Sequence, residues 1–228
     1  ITQRLQGYVV GRIAHFVMNL HITPRTIWLT RHGQSTANVA GLIGTDMPLT
    51  AKGAEFAGNL SDFLRAQITG PVTIWTSTLQ RSVQTGKRLG RPAMALKVID
   101  EIDAGICDGM SYTQVQAQMP GEFARRKADK LAYRYPRGES YEDVIHRLDP
   151  LIIELERQRD PVMIVGHQAI LRALYGYLAG KDRSEVPHLP IPMHTVIALT
   201  PHAYGCAEER VHLGPDVQTE MPSSRCRP

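Results

Sequence analysis

Two histidines each follow a run of apolar residues. Thr26-Ile27-Trp28-Leu29 leads through Thr30 into Arg31-His32-Gly33, and Val162-Met163-Ile164-Val165 leads into Gly166-His167-Gln168. Short apolar runs of this kind read as buried strands, and in an open α/β sheet ligands bind beyond the carboxyl ends of the strands. The pattern therefore directs both imidazoles into one crevice. A third run, Val72-Thr73-Ile74-Trp75, passes through Thr76-Ser77-Thr78 to a helix start near Leu79, with Arg81 in its first turn. Arg31, His32, Arg81 and His167 form a set of cationic and proton-bearing groups without a Cys or Ser nucleophile motif. Such a set suits a phosphoryl group, because guanidinium forks match phosphate oxygens and preorganised donors stabilise the charge that spreads over them during transfer.

An imidazole held in one tautomer by a backbone acceptor can attack phosphorus with its other nitrogen, splitting hydrolysis into formation and breakdown of a phosphohistidine. His32 is the better candidate for that nucleophile. The leaving alkoxide then needs a proton. Glu101, in Asp100-Glu101-Ile102-Asp103 after the apolar Val98-Ile99, is placed to give one if burial and an anionic substrate keep its carboxyl partly protonated. The remaining histidines, among them His15, His21, His188 and His194, show no H-x-x-x-H spacing with a carboxylate partner, so neither a metal nor another cofactor is expected.

The elements that must position these groups follow from periodicity. Tyr8, Val9, Ile13, Phe16, Val17 and Leu20 form a helical stripe over residues 8–20, expected as a peripheral leader that Thr23-Pro24 stops. Phe56, Leu60, Phe63 and Leu64 mark an amphipathic helix that should cover the sheet. Ser140-Tyr141-Glu142-Asp143 reads as a capping-box start for a helix buried through Val144, Ile145, Leu148, Leu151, Ile152 and Leu155, with Pro150 expected to kink it. Ile170, Leu171, Leu174, Tyr175 and Leu178 mark a further helix ending near Gly180, and Thr195 to Leu199 a further strand. Strands separated by helices imply a three-layer α/β/α sandwich with a mostly parallel sheet, in one domain. Residues from Gly214 onward carry little apolar content and read as a flexible tail.

Composition narrows the class. The chain has 228 residues, 43% of them hydrophobic, and a formal net charge of +4, and its basic residues are scattered rather than interleaved with aromatics along one stripe. That argues for a small anionic substrate and against nucleic acid. The densest basic stretch, Arg125-Arg126-Lys127 with Lys130, Arg134 and Arg137, would in isolation read as a solvated helix face. Three cysteines, an odd number without C-x-x-C spacing, are expected as free thiols in a reducing compartment. With no apolar stretch of membrane-spanning length and no signal-peptide pattern, a cytoplasmic location without membrane attachment is expected. The first residue is Ile rather than Met, which suggests a processed chain or an excised fragment.

These residues resemble the histidine phosphatase superfamily, whose members share the R-H-G loop and a second histidine on an α/β/α, phosphoglycerate mutase-like fold. Longer motifs narrow the resemblance to the fructose-2,6-bisphosphatase domains of the bifunctional 6-phosphofructo-2-kinase/fructose-2,6-bisphosphatase family. They are Thr23-Pro24-Arg25-Thr26-Ile27, Glu101-Ile102-Asp103-Ala104-Gly105, Tyr133-Arg134-Tyr135-Pro136 with Gly138-Glu139-Ser140-Tyr141-Glu142-Asp143, Gly166-His167-Gln168-Ala169 and Ala203-Tyr204-Gly205-Cys206. Val17-Met18-Asn19-Leu20-His21 in the leader is similar to that family's kinase–phosphatase junction. The resemblance implies a leader over residues 1–24, a phosphatase domain over 25–213 and a tail over 214–228.

It also implies hydrolysis of fructose 2,6-bisphosphate to fructose 6-phosphate and phosphate, controlling glycolysis and gluconeogenesis. His32 would be phosphorylated, and Arg31, Arg81, His167 and Asn38 would hold the transferred group. Glu101 would act as acid and then base. Ile43 and Gly44 would touch the sugar, and Tyr112, Arg126, Lys130, Tyr141, Gln168 and Arg172 would grip the phosphate that stays, with Arg125 and Lys127 left solvated. The implied partner is a covalently linked 6-phosphofructo-2-kinase domain, whose chemistry cannot reside in these residues because they hold no G-x-x-x-x-G-K-[ST] motif. Two departures stand out: Gln34, where many relatives have Glu, and Gly166, where animal relatives have a bulkier residue. Two other readings stand beside the leading one, a phosphoglycerate mutase or broad sugar-phosphate phosphatase of the same superfamily, and a regulatory domain that binds sugar phosphate without turnover.

Overall fold

The structure is a computed structural model and describes residues 13–14, 17–18, 23–202 and 205–217. Six strands form one sheet: β1 (Ile27–Arg31), β2 (Thr73–Thr76), β3 (Met94–Ala95), β4 (Val162–Gly166), β5 (Thr195–His202) and β6 (Gly205–His212). They lie in the order β3-β2-β4-β1-β5-β6. The first four run parallel, and β5 pairs antiparallel with both β1 and β6. β1 and β4 are buried along their whole length, as expected of central parallel strands covered on both faces, which explains their continuous apolar runs. The edges are blunted: β3 is two residues long, and β6 carries Glu208, Glu209 and Arg210 on a largely exposed strand.

Seven α-helices lie wholly within the described residues: α1 (Thr36–Ala40), α2 (Ala51–Gln67), α3 (Gln80–Lys87), α4 (Tyr112–Gln118), α5 (Pro120–Ala128), α6 (Tyr141–Arg157) and α7 (Gln168–Leu178). Alternation along the strands sorts them into layers. Ile27, Leu29, Val162 and Ile164 face one way and pack with Val144, Leu148 and Leu155 of α6 and Ile170, Leu171 and Leu174 of α7. Trp28, Ile74, Met163 and Val165 face the other way and pack with Phe56, Leu60 and Leu64 of α2. This is the expected three-layer α/β/α sandwich. A third, smaller cluster joins Ile43, Ala104, Cys107, Val115 and Tyr135, apart from both layers, and brings α4 together with the loops that follow Gly41, Ala104 and Tyr133.

The capping box at Ser140 forms as read: its hydroxyl accepts the Asp143 N–H, and the Asp143 carboxylate accepts the Ser140 N–H. Helix α6 then runs unbroken through Pro150, whose ring nitrogen has no proton for the His146 carbonyl. Of the leader, Ile13, Ala14, Val17 and Met18 are described and helical; the rest of the expected 8–20 helix lies outside the described residues, as do Ala203, Tyr204 and residues 218–228. Pro215 and Asp216, at the start of the expected tail, accept hydrogen bonds from the body through their carbonyls, Pro215 from His194 and Asp216 from Lys52. Cys107 and Cys206 are free thiols. No helix among the described residues is long and apolar enough to cross a membrane.

Candidate active site

The parallel register of β1 and β4 pairs Arg31 with Gly166, so the next residues, His32 and His167, leave the sheet side by side. The His32 N–H donates to the Gly166 carbonyl at 3.0 Å, and the two ring centroids lie 5.0 Å apart. Both histidines are buried, His32 3% and His167 0% exposed. Burial, reinforced by Arg81 and then Arg31, holds the His32 pKa well below the ordinary imidazole value. The same burial, with Arg81 and His32 itself, lowers that of His167. Both rings are therefore neutral at pH 7.

The His32 tautomer follows from its partners. Nδ1 lies 2.7 Å from the Gly33 carbonyl, which can only accept, so Nδ1 carries the proton. Nε2 accepts from Arg81 Nε–H at 3.0 Å and so presents its lone pair to the crevice. Arg81 reaches this point from the first turn of α3. Its Nη1 donates to the Thr45 carbonyl at 2.7 Å and faces Asp46 Oδ1 at 3.5 Å. Burial lowers the Arg81 pKa against the pull of Glu101, Asp46 and further carboxylates, and a guanidinium remains a cation through such a shift. Arg31, 6% exposed, directs Nη1 toward the Ile191 carbonyl.

Glu101 enters from the loop between β3 and α4. Its Oε1 accepts the N–H groups of Ile102 at 2.9 Å and Ala169 at 3.1 Å, the latter in the first turn of α7. His167, the residue before that helix, makes no side-chain cap, so Glu101 supplies from another segment an acceptor the helix start lacks. The loop is tied down by Arg147 of α6. This residue donates Nη1 to the carbonyls of Val98 and Asp100 and pairs in a fork with both carboxylate oxygens of Glu139, one of which accepts the Asp103 N–H.

Asn38 is the third residue of α1, and its Oδ1 is engaged by the Ser35 N–H and hydroxyl, which turns its amide NH2 into the end able to donate to a ligand. Ile43 is buried in the third cluster, with its N–H bonded to the Met110 carbonyl and its carbonyl to the Gly109 N–H. It therefore offers a sugar only its apolar surface, with Gly44 and Thr45 continuing the loop toward Arg81. Gln34 places Oε1 2.9 Å from the Thr50 hydroxyl, at the cap of α2. At Gly166 a Cβ would sit 3.2 Å from Leu171 Cδ2 and 3.4 Å from Ile99 Cγ2, tighter than ordinary contact, so a bulkier residue requires these side chains to shift by a few tenths of an ångström.

The cations assigned to the distal phosphate gather as a network with phenols. Arg126 donates Nε to the Tyr135 hydroxyl at 2.8 Å and Nη2 to the Tyr112 hydroxyl at 2.9 Å, with its guanidinium 4.7 Å from the Tyr112 ring centroid. Arg172 donates to the Tyr141 hydroxyl at 3.0 Å and to the Leu189 carbonyl. Lys130 donates to the Pro187 carbonyl and stands 5.9 Å over the Tyr141 ring. Burial pushes the Tyr135 and Tyr141 hydroxyls up, so they stay protonated and can donate outward while accepting from the cations. Arg125 pairs with Glu122 on the exposed side of α5, and Lys127 is exposed, in keeping with the expectation that both are solvated. Gln168 opens α7 beside His167.

Several contributors carried no assignment from sequence. Ser77 Oγ lies 2.6 Å from His167 Nε2, and its only sequence signal was its place in Thr76-Ser77-Thr78, between the third apolar run and the helix of Arg81. Tyr135 was visible only as part of a longer motif. Glu139 likewise was visible only within that motif, and Arg147, a helix-face residue far from Glu101 in the chain, gave no signal. Gly33 and Gly53 touch backbone to backbone: a Cβ at Gly53 would lie 2.1 Å from the Gln34 carbonyl oxygen, and one at Gly33 2.3 Å from the Gly53 oxygen. The nucleophile loop can cross the first turn of α2 only because both residues lack side chains.

The chain is 46% identical over 213 residues to mouse 6-phosphofructo-2-kinase/fructose-2,6-bisphosphatase 1, an alignment covering 93% of this chain and 45% of that protein. The human isoform 4 gives the same identity and coverage, and human isoform 1 is 45% identical. The chain thus spans less than half the length of these curated relatives. Among solved structures, α-ribazole phosphatase from Shigella flexneri superposes with a TM-score of 0.73 at 22% identity, over 84% of this chain and all of that one. Bacillus stearothermophilus YhfR superposes with a TM-score of 0.71 at 25% identity, over 85% of this chain and 98% of that one. The family model for the histidine phosphatase superfamily (branch 1) matches residues 27–213, from the first residue of β1 to just past β6, and with His32 poised as a neutral imidazole within that span, the chain belongs to this superfamily.

Proposed function

We propose that this chain hydrolyses the 2-phosphate of fructose 2,6-bisphosphate through a phosphohistidine on His32. The observation that carries the reading is the state of His32: buried, neutral, with its proton on Nδ1 and its Nε2 lone pair aimed at Arg81. A nitrogen so held needs no deprotonation before it attacks phosphorus. The extended identity to the bifunctional relatives, and a second cluster of three cations, support a bisphosphorylated sugar as substrate.

In the first half-reaction Nε2 of His32 forms the bond to phosphorus as the bond from phosphorus to the fructose O2 breaks. Arg31 and Arg81 pair with the phosphoryl oxygens, Arg81 exchanging its contact with Nε2 for one with oxygen; His167 and the Asn38 amide donate to the same group. Glu101 gives its proton to the departing O2, so fructose 6-phosphate leaves neutralised at that oxygen. In the second half-reaction the Glu101 carboxylate takes a proton from the water that attacks phosphorus, the bond to Nε2 breaks, and inorganic phosphate and neutral His32 are restored. Tyr112, Arg126, Lys130, Tyr141, Gln168 and Arg172 grip the 6-phosphate in both steps, with the sugar against Ile43 and Gly44. In this reading residues 25–213 are the phosphatase domain, residues 1–24 a leader toward a linked kinase domain, and residues 214–228 a tail.

The test is a rapid quench of the chain with fructose 2,6-bisphosphate labelled at the 2-phosphate, following an acid-labile phosphoenzyme and fructose 6-phosphate together. Both signals are expected, and both vanish in His32→Ala. Turnover without a phosphoenzyme would overturn the mechanism. A phosphoenzyme formed only from 2,3-bisphosphoglycerate or other sugar phosphates would move the substrate elsewhere in the superfamily, and tight binding without phosphate release would leave a sensing domain.

A further inference from the structure

His194 is fully buried, stands just before β5, far along the chain from His32, and is absent from the machinery above. Its ring lies flat on Phe56 of α2, with centroids 4.5 Å apart and planes 8° from parallel. Nδ1 lies 2.6 Å from the Pro215 carbonyl, which can only accept, so the His194 proton is on Nδ1. Nε2 lies 3.0 Å from the Gln34 backbone nitrogen and therefore accepts that N–H. The tautomer is fixed from both sides.

The Gln34 N–H and the Gly33 carbonyl belong to one peptide unit, and the Gly33 carbonyl is the acceptor that holds the proton on His32 Nδ1. A single line of hydrogen bonds thus runs from the Pro215 carbonyl through His194, across the Gly33–Gln34 peptide and into the nucleophile. Every bond points the same way. Pulling on the His194 proton enriches Nε2; that lone pair polarises the Gln34 N–H; the peptide carbonyl becomes a stronger acceptor; and His32 Nε2 gains electron density. The following peptide, Gln34–Ser35, is held as well, because the Gln34 carbonyl accepts from the Thr50 N–H and hydroxyl.

We propose that His194 is a positioning residue for the nucleophile, acting through the one peptide between Gly33 and Gln34 to lock His32 in its attacking tautomer and strengthen its Nε2. The proposal rests on His32 being the nucleophile, as read above. Two substitutions separate the links of the chain. In His194→Gln the side-chain oxygen falls near the position of Nε2 and keeps the bond to Gln34; in His194→Asn the amide falls near Nδ1, keeps the bond to Pro215 and cannot reach Gln34. Both lose the stack on Phe56.

Single-turnover phosphorylation with fructose 2,6-bisphosphate should slow roughly three- to tenfold in His194→Asn, the worth of one neutral hydrogen bond, with KM unchanged, and stay within about twofold of the parent in His194→Gln. Equal slowing in both, or in neither, overturns the proposal. Should neither variant fold, ¹⁵N spectra of the unaltered chain decide it: the proposal requires His194 and His32 both protonated on Nδ1 and a through-hydrogen-bond coupling between His194 Nε2 and the Gln34 amide nitrogen. Protonation of His194 on Nε2, or no coupling, overturns it. If the unaltered chain forms no phosphohistidine, the functional reading fails on its own, while the spectra still report whether the line of hydrogen bonds exists.

Discussion

Replacing Gly53 with Ala changes one methyl group on a residue that touches no substrate, yet the structure assigns it a large cost in turnover. The new Cβ would lie 2.1 Å from the Gln34 carbonyl oxygen, 2.8 Å from its nitrogen and 3.0 Å from its carbonyl carbon. All three are backbone atoms, so no rotamer relieves the contact. Restoring an ordinary separation needs a displacement of about 1 Å, either of the first turn of α2 or of the loop that carries His32. The turn is anchored by Phe56, 0% exposed in the core three residues on, so the loop yields. A misplacement of about 1 Å in a reacting group costs on the order of 100-fold in rate. The accompanying strain, about 1–3 kcal/mol for an overpacked site, is offset in part by the roughly 0.5–1 kcal/mol that Ala gains over Gly within a helix. Gly58, in the same helix, has nothing within 4 Å of its would-be Cβ. Gly58→Ala should therefore stabilise the chain by about 0.5–1 kcal/mol and leave turnover unchanged. Phosphate release and thermal unfolding measured on both variants test the argument. Full kcat in Gly53→Ala, with the chain folded, would refute it.

Two further outcomes follow from the same geometry. Tyr135→Phe removes the hydroxyl that accepts from Arg126 Nε, leaving a partly buried guanidinium N–H without that partner. KM for the bisphosphate should rise severalfold to about tenfold with kcat nearly unchanged, since a distal contact is lost equally before and during transfer; an unchanged KM would remove Tyr135 from the pocket. The depressed pKa values of His32 and His167 also tie stability to pH. The unfolded chain takes up protons on these rings below about pH 6.5, the ordinary imidazole value, while the folded chain resists. Stability is therefore fully present above that pH and declines as pH falls from 6.5 toward the lower folded values. The melting temperature should drop on acidification through this range, and His167→Gln should flatten the slope; an equal slope in that variant would show that the ring does not carry the linkage.

Much of the sandwich was legible because its signals are local. The runs before His32 and His167 are strands buried on both faces, so their composition alone marks them, and the helix starts at Leu79 and Ser140 carry their signals within a few residues. What escaped is tertiary. β6 holds Glu208, Glu209 and Arg210 because an exposed edge strand needs no apolar alternation. Helices α4 and α5 are short and bury almost nothing of their own, Val115 alone being buried, so no apolar stripe announces them. The strand ends showed which groups face the crevice, whereas the parts that hold them there, His194 behind Gln34, Arg147 behind Glu101 and Gly53 beneath Gly33, are contacts between segments with no spacing rule to link them. Asn38 was placed by resemblance alone, and the structure adds that it caps its own helix through Ser35.

The strand order has a consequence for how the chain reaches its folded state. β4 lies between β1 and β2, so Ile27 and Thr73 meet no neighbour on that side until Val162 arrives from far along the chain, more than half its length from Ile27. Contacts this distant in sequence form late and slowly, because a long loop must close before they reward its closure. A segment ending short of Val162 would contain His32, Arg81 and Glu101 and still lack the strand that seats them beside one another. Chemical competence should therefore appear in a single late event, at the insertion of β4, and not grow gradually as the chain lengthens.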